Sequence, residues 1–388
     1  MDGMKIIRPL TITDAMLTAS NVAETDYSEF AMGTTYAAGD YCIVATGLET
    51  LTLDVAPAPA AWAEGATITG ASSGKSAKIV QKVSSTVYQI RERSGSFTLG
   101  EILSDGTNTA DQGAAYPTVT AATDKVHKIY QSLSAGNQGN YPPLDVLKTV
   151  PKWLDIGATN RWKCFDNSVG TLTENASSIT YTITPGVIFD SIAFLALTGQ
   201  TVRIKLTDPT DGVVYDETVN LLDMIPTGTI PDMDWYAYFF SDIRQTSEVA
   251  RPGISLYLNT VVEITITYTG GTAKVGGIIL GTQMTLGNTL YSPQVGIRDY
   301  SIKGTDDYGN PQIVERAYAN RGTFDILIPT ASIAYIRNVL ASYRATLLLW
   351  IGADDYEATI IYGFFKEFNI VISYPDYAEC SIEIEGIS

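Results

Sequence analysis

Val202-Arg-Ile-Lys-Leu-Thr-Asp208, then Pro209-Thr-Asp-Gly212, then Val213-Val-Tyr-Asp-Glu-Thr-Val219 is the stretch that decides the fold. Apolar and polar residues alternate on both sides of a Pro/Asp/Gly turn. That period of two belongs to strands with one face on a core, and the turn residues make the pair a hairpin. SSITYTITP, DSIAFLALT, VVEITITYT and AKVGGIILG surround it with runs of the same kind. Short strands with regular turn signals predict a β-sandwich, jelly-roll-like, over 158–290.

Working outward, the segment 291–388 holds the one convincing helix. From Thr330 to Tyr343, Ile333, Ile336, Val339, Leu340 and Tyr343 fall on one face. LLLWIG, EATIIYGFF, FNIVISY and ECSIEIEGI follow as strands, which predicts an α+β terminal assembly domain. Upstream, the pattern is broken. Tyr41 to Val44 is a short strand after the Ala38-Gly39-Asp40 turn, and Val126 to Leu133 is another. Between them, after the Pro57-Ala-Pro59 linker, lies a weak repeat. Trp62, Gly65 and Ile68 match Phe97, Gly100 and Leu103 in spacing. The expectation is a split module, 1–56 plus 124–157, carrying an inserted β-repeat domain at 57–123. The hairpin tip of that module is replaced from about Leu48 to Asp124. The whole chain is therefore expected to be mainly β.

The outer segments combine into Tyr36-Ala-Ala-Gly39-Asp40-Tyr41-Cys-Ile-Val, His127-Lys-Ile-Tyr130, Asn137 to Pro142 and Trp153-Leu-Asp-Ile-Gly157. This resembles the small chitin-binding-type carbohydrate modules. Asn160-Arg161-Trp162-Lys163-Cys-Phe165-Asp166 follows directly. The inserted segment has Phe97 to Glu101 and the Ser73-Gly74 turn, and is similar to repeat modules of phage virion proteins. In this order the modules resemble minor tail and baseplate proteins of long-tailed bacteriophages. The resemblance implies a structural, non-enzymatic virion component of the tail tip or baseplate, assembled in the host bacterial cytoplasm. It would meet other tail proteins and form a homo-oligomeric ring. The alternative is a receptor-binding protein that grips host cell-surface polysaccharide.

In such modules aromatic rings stack on sugar CH faces, and Tyr36, Tyr130, Tyr141 and Trp153 are the candidates here. Rings in so small a module commonly fill the core instead. Tyr141 is set apart because Asn140-Tyr141-Pro142-Pro143 reads as an exposed loop. Its expected contact is a sugar or a neighbouring subunit. The run Asp232-Met-Asp234-Trp235-Tyr236-Ala-Tyr238-Phe239-Phe240 is aromatic on both strand faces, so Trp235, Tyr236 and Tyr238 are expected at an interface or a sugar platform.

Composition limits the rest. The net charge of −17 opposes nucleic acid and anionic lipid. No apolar run approaches a membrane span, and the opening Met1-Asp-Gly-Met-Lys lacks a leader pattern, so neither membrane insertion nor export is expected. Cys42, Cys164 and Cys380 form no CxxC pair, and no cofactor or metal is expected. The single histidine, His127, has no GxSxG serine to serve. Gly70-Ala-Ser-Ser-Gly74-Lys75-Ser76 lacks the glycine spacing of a phosphate loop and reads as a turn. Asp306-Asp307 and Asp354-Asp355 read as solvated turns, the first only weakly similar to a calcium loop.

Overall fold

A computed structural model describes residues 3–121, 125–224, 243–254, 256–291, 293–305, 310–353 and 356–387. The protein is 51% strand and 7% helical, so strand pairing carries the architecture. Two compact units form: Ala23–Asn160, and Met1–Val22 with Arg161–Ser388.

In the second of these, one nine-stranded sheet is built from both ends of the chain. Its central six strands are Gly277–Thr289, Gly3–Pro9, Leu348–Ile351, Ile360–Val371, Tyr377–Gly386 and Tyr318–Pro329. Asn288 pairs with Leu327 and Thr289 with Ile326, which joins the first of these strands to the last and closes an antiparallel barrel. Closure removes the edges that an open sheet would expose. Met4, Ile6, Leu286, Phe324, Ile326, Ile328, Trp350, Ile382 and Ile384 fill the interior. The predicted helix is present as Ile333–Ser342, extended at its start by a turn over Thr330–Ser332. Ile336 and Leu340 enter the barrel core, with Val339 and Tyr343 packed against it.

A five-stranded sheet accompanies the barrel in this unit. Its order is Gly212–Asn220, Thr201–Asp208, Val261–Val275, Thr173–Ile183 and Leu17–Ser20. The predicted hairpin is there, with Val202 opposite Val219 and Ile204 opposite Glu217. Val202, Ile204 and Leu206 are buried, as their alternation requires. The nine-stranded sheet runs through both 158–290 and 291–388, so the boundary expected at 290/291 crosses a shared sheet. Residues 3–20, expected with the split module, pair here instead. The strand Gly3–Pro9 buries Met4 and Ile6 on one side and Ile7 on the other, which commits both its faces.

The unit Ala23–Asn160 contains two small sheets. One has three strands, in the order Trp153–Ala158, Lys128–Ser132, Tyr41–Val44. The other has seven, in the order Thr118–Thr120, Glu49–Thr52, Val87–Arg91, Ser76–Lys82, Thr67–Gly70, Ile102–Ser104, Thr109–Asp111. Glu49–Thr52 is therefore a full member of the inserted sheet, and the insertion begins near Leu48 rather than at 57. The repeat seen in sequence is physical. Gly65 and Gly100 both take positive φ in matching turns, Ala63–Ala66 and Thr98–Glu101. The strands that follow, Thr67–Gly70 and Ile102–Ser104, lie side by side. Within the described residues, no helix is long and apolar enough to cross a membrane.

Candidate functional site

The Tyr/Trp module is assembled around Trp153. Phe30, Met32, Tyr36, Cys42, Val44, Val80, Tyr130 and Tyr141 surround it. The ring of Tyr36 meets Trp153 edge-on at 4.9 Å between centroids, and Phe30 does so at 5.8 Å. The polar loop works inward. Trp153 Nε1 donates to the Asn140 carbonyl at 2.9 Å, and Asn140 Nδ2 donates to Asn137 Oδ1 at 2.9 Å. Asn137 in turn donates to Ser132 Oγ and the Lys152 carbonyl. The buried Asp145 carboxylate accepts the backbone N–H groups of Lys152 and Trp153 at 2.6 and 3.1 Å. Buried polar groups are tolerated because each finds such a partner.

Tyr36, Tyr130 and Trp153 are thus core residues. Tyr141 corrects the expectation of an exposed contact, since it is only 5% accessible. It precedes the short helix Pro142–Asp145, and its ring turns in under the guanidinium of Arg91, 5.1 Å from the ring centroid. Burial pushes the phenol up to about 12, against the pull of Arg91. Arg91 belongs to the inserted sheet. It pairs with Glu29 at 2.6 Å, donates to the Thr46 hydroxyl and lies over Phe30, so one cation ties the insertion to the module. Trp235, Tyr236 and Tyr238 lie outside the described residues, as do the two Asp pairs.

Sequence reasoning passed over the aromatics that are exposed. Tyr27 and Tyr41 are 43% and 38% accessible and stack on each other, 4.9 Å apart and 16° from parallel. Tyr41 starts the strand whose Cys42 and Val44 point into the core, so alternation sends its own ring to the opposite face. Across the three strands Tyr41 pairs with Gln131 and Gln131 with Leu154. Exposed Leu154 extends the same row, and exposed Ile156 is the next outward position on its strand. This face is aromatic and amide in character and carries no formal charge on those side chains. The signal available in sequence was the parity of Tyr41 against Cys42.

Two motif elements of the insertion also come together. Glu101, at the end of the Phe97-x-x-Gly-Glu run, accepts from the backbone N–H groups of Ser72, Ser73 and Thr98 and from the Ser73 hydroxyl. Burial pushes this carboxyl up, but those donors outweigh it and leave it below its ordinary value. The Phe-x-x-Gly-Glu and Ser-Gly turns are therefore two halves of one structural latch.

His127 Nδ1 is 2.8 Å from Glu24 Oε1, and Thr159 Oγ1 donates to that same oxygen at 2.7 Å. The Thr159 hydroxyl thus bonds the same carboxylate oxygen that the imidazole meets. Among the described residues, no group of three or more His, Cys, Asp or Glu could hold a metal ion.

In the unit containing the barrel, the strand Gln294–Asp299 closes one end of the nine-stranded sheet, and all its side chains are exposed. Val295 and Ile297 share a face with Tyr318, the partner of Asp299. All three are exposed. Beyond this edge a separate hairpin pairs Ile302–Thr305 with Pro311–Val314, and Ile302, Ile313 and Val314 are exposed on it. No family model, curated protein or solved structure matches the chain.

Proposed function

We propose that this chain is a structural component of the tail tip or baseplate of a long-tailed bacteriophage. Its role is to meet copies of itself and neighbouring tail proteins, and it performs no catalysis. The observation that carries the reading is the strand Gln294–Asp299, which has no further strand partner among the described residues and leaves Val295, Ile297 and Tyr318 exposed. An apolar strand with unpaired backbone groups is an aggregation hazard unless a partner completes it. An assembly protein meets its partner during particle formation. The module order read in sequence supports the same assignment. The test is gold labelling of intact particles with antibodies against the chain, viewed by electron microscopy. Label at the tail tip is expected, and particles that bind none would overturn the proposal.

The second reading, a receptor-binding protein for host surface polysaccharide, is favoured by the uncharged face of Tyr27, Tyr41, Gln131 and Leu154. Stacked rings beside amides suit neutral polyols rather than ionic ligands. A glycan array probed with the full chain and with the Tyr27→Ala/Tyr41→Ala variant tests it. Binding that disappears in the variant supports this reading, and binding to no glycan eliminates it.

A further inference from the structure

The face of the nine-stranded sheet opposite the barrel interior carries a small core of its own. Ile7, Leu195, Ile279, Leu349, Ile351 and Ile360 form it, with Val169 and Tyr362 packed against it. A cavity opens here between the sheet, residues 9–12 and residues 164–169. Its volume is about 70 Å³. At about 10–15 Å³ for each water-sized group, roughly five heavy atoms fit. A hexose or a nucleotide is too large for it, and a small head group is not.

Three of the lining side chains, Phe165, Asp166 and Tyr362, give the cavity its chemistry. Asp166 is the one charged side chain in the described lining. Its Oδ1 accepts the Ser168 backbone N–H and its Oδ2 accepts the Thr171 hydroxyl, both at 2.8 Å. Both donors are neutral, and each carboxylate oxygen keeps a second acceptor site. Among the described residues no ion pair is made to this carboxylate. Burial pushes Asp166 up, against those donors and the weaker pull of Lys163. Tyr362 is pushed up too, by burial first and then by the charge of Asp166, so phenol and carboxylate are electrostatic neighbours. Phe165 is held by edge contacts with Trp162 at 5.7 Å and Tyr181 at 5.2 Å. Leu10, Ile12, Ile278 and Ile279 add aliphatic wall.

We infer that this cavity binds a small quaternary ammonium cation of the choline type, held by the charge of Asp166 and the rings of Phe165 and Tyr362. Aromatic rings attract cations most strongly where water is excluded, and methylated ammonium groups give up water readily. Other cations fit less well. Among the described residues no group of three or more His, Cys, Asp or Glu could hold a metal ion. A bare ammonium brings three N–H donors that need acceptors, and the four aliphatic side chains offer none. An anion attached to the cation, as in betaine, would be repelled by Asp166. The net charge of −17 favours cations over anions near the surface. The site does not depend on the tail assignment.

The test is isothermal titration calorimetry on the full chain at fixed ionic strength, with circular dichroism as the folding control. Choline chloride is the probe. The alcohol with carbon in place of the choline nitrogen has the same shape without the charge, and betaine has the same head group with an anion attached. Choline should saturate at one per chain, and both comparators should bind at least about tenfold more weakly. Asp166→Asn removes the charge and keeps an acceptor oxygen, and should lose choline affinity at least about tenfold. Tyr362→Leu should lose roughly tenfold, whereas Tyr362→Phe keeps the ring and should bind as wild type does. If Asp166→Asn fails to fold, the comparison of choline with its neutral isostere on wild type still decides. No saturable choline binding by wild type, or equal binding of the neutral alcohol, would overturn the inference. So would undiminished affinity in folded Asp166→Asn, or equal affinities in Tyr362→Leu and Tyr362→Phe.

Discussion

The cluster around Trp153 and the interior of the barrel are cores built from different materials. The barrel is filled by Ile, Leu, Met, Phe and Trp side chains on closed strands, with Cys380 as its softest polar atom. The Trp153 cluster has short strands and few aliphatics. It packs Tyr and Trp rings, and rings bring polar tips and edges that must be satisfied. Its periphery therefore buries Asn137, Asp145, His127 and Arg91, with partners for each. A small domain can be stabilised by area or by a bonded polar frame, and the two respond differently to substitution.

The largest effect should come from the apolar core. Phe324 is fully buried, and its ring lies against the space a side chain would occupy at both Gly322 and Gly352. Phe324→Ala should cost about 4 kcal/mol in urea unfolding, from lost transfer energy plus an unfilled cavity. It should leave the Trp fluorescence transition of the Trp153 module in place. Loss of both transitions together would break the contrast between the cores.

Asp145→Ala attacks the polar frame instead. It strands the N–H groups of Lys152 and Trp153 and removes the ion pair with Lys148, which lies 3.1 Å away. Unsatisfied buried donors make roughly 3 kcal/mol the expected loss, although almost no apolar area changes. A loss below about 1 kcal/mol would show that the rings alone hold this core.

Glu101→Gln sharpens the comparison within the inserted sheet. The amide keeps the shape but loses the charge and presents an NH₂ to donors. The expected cost is about 2 kcal/mol at neutral pH. The folded carboxyl lies below its ordinary value, so the wild type holds this stability above the unfolded value of 4.5 and loses it as pH falls through the folded value. The variant should be insensitive in that range, which thermal unfolding between neutral and acid pH would reveal.

How much of this was legible in sequence depends on the range of the interactions. The hairpin Val202–Val219, the helix face with Ile336 and Leu340, and the paired glycine turns at Gly65 and Gly100 are set within a few residues, and alternation or spacing exposes them. Barrel closure depends on Gly3–Pro9 lying between strands from the far end of the chain, and no local pattern records that. Tyr141 is instructive because its segment reads as an exposed loop in sequence, while none of its four residues is exposed in the fold. Asn140-Tyr141-Pro142-Pro143 does lead out of a loop, but that loop folds over the cluster, and Arg91 from a separate sheet covers the ring. The exposed Tyr27 and Tyr41 were missed because type and motif were weighed more heavily than strand parity.

Glu248 supplies the smallest and most discriminating effect. Like Glu101 it is drawn in from water, but it has poor compensation. Among the described residues its Oε1 meets only the Asn320 amide, at 3.4 Å, while its own backbone N–H donates to Glu357. Ser247 gives the same Glu357 oxygen two further donors, which fixes that carboxylate close by. Burial first, and then the charge of Glu357, push Glu248 up to about 8. For an acid held above its unfolded value the linkage runs opposite to that of Glu101. The folded state binds the extra proton, so stability falls as pH rises from the unfolded value of 4.5 to about 8 and stays low above it. Glu248→Gln mimics the protonated form and should remove that decline. It is expected to gain roughly 1 kcal/mol at pH 9 over wild type and almost nothing at pH 5, partial hydration trimming the full linkage value. Paired urea titrations at the two pH values measure it. An equal gain at both would mean that packing rather than ionisation sets the cost of this carboxyl, and the contrast between buried Glu101 and half-buried Glu248 would then lose its electrostatic basis.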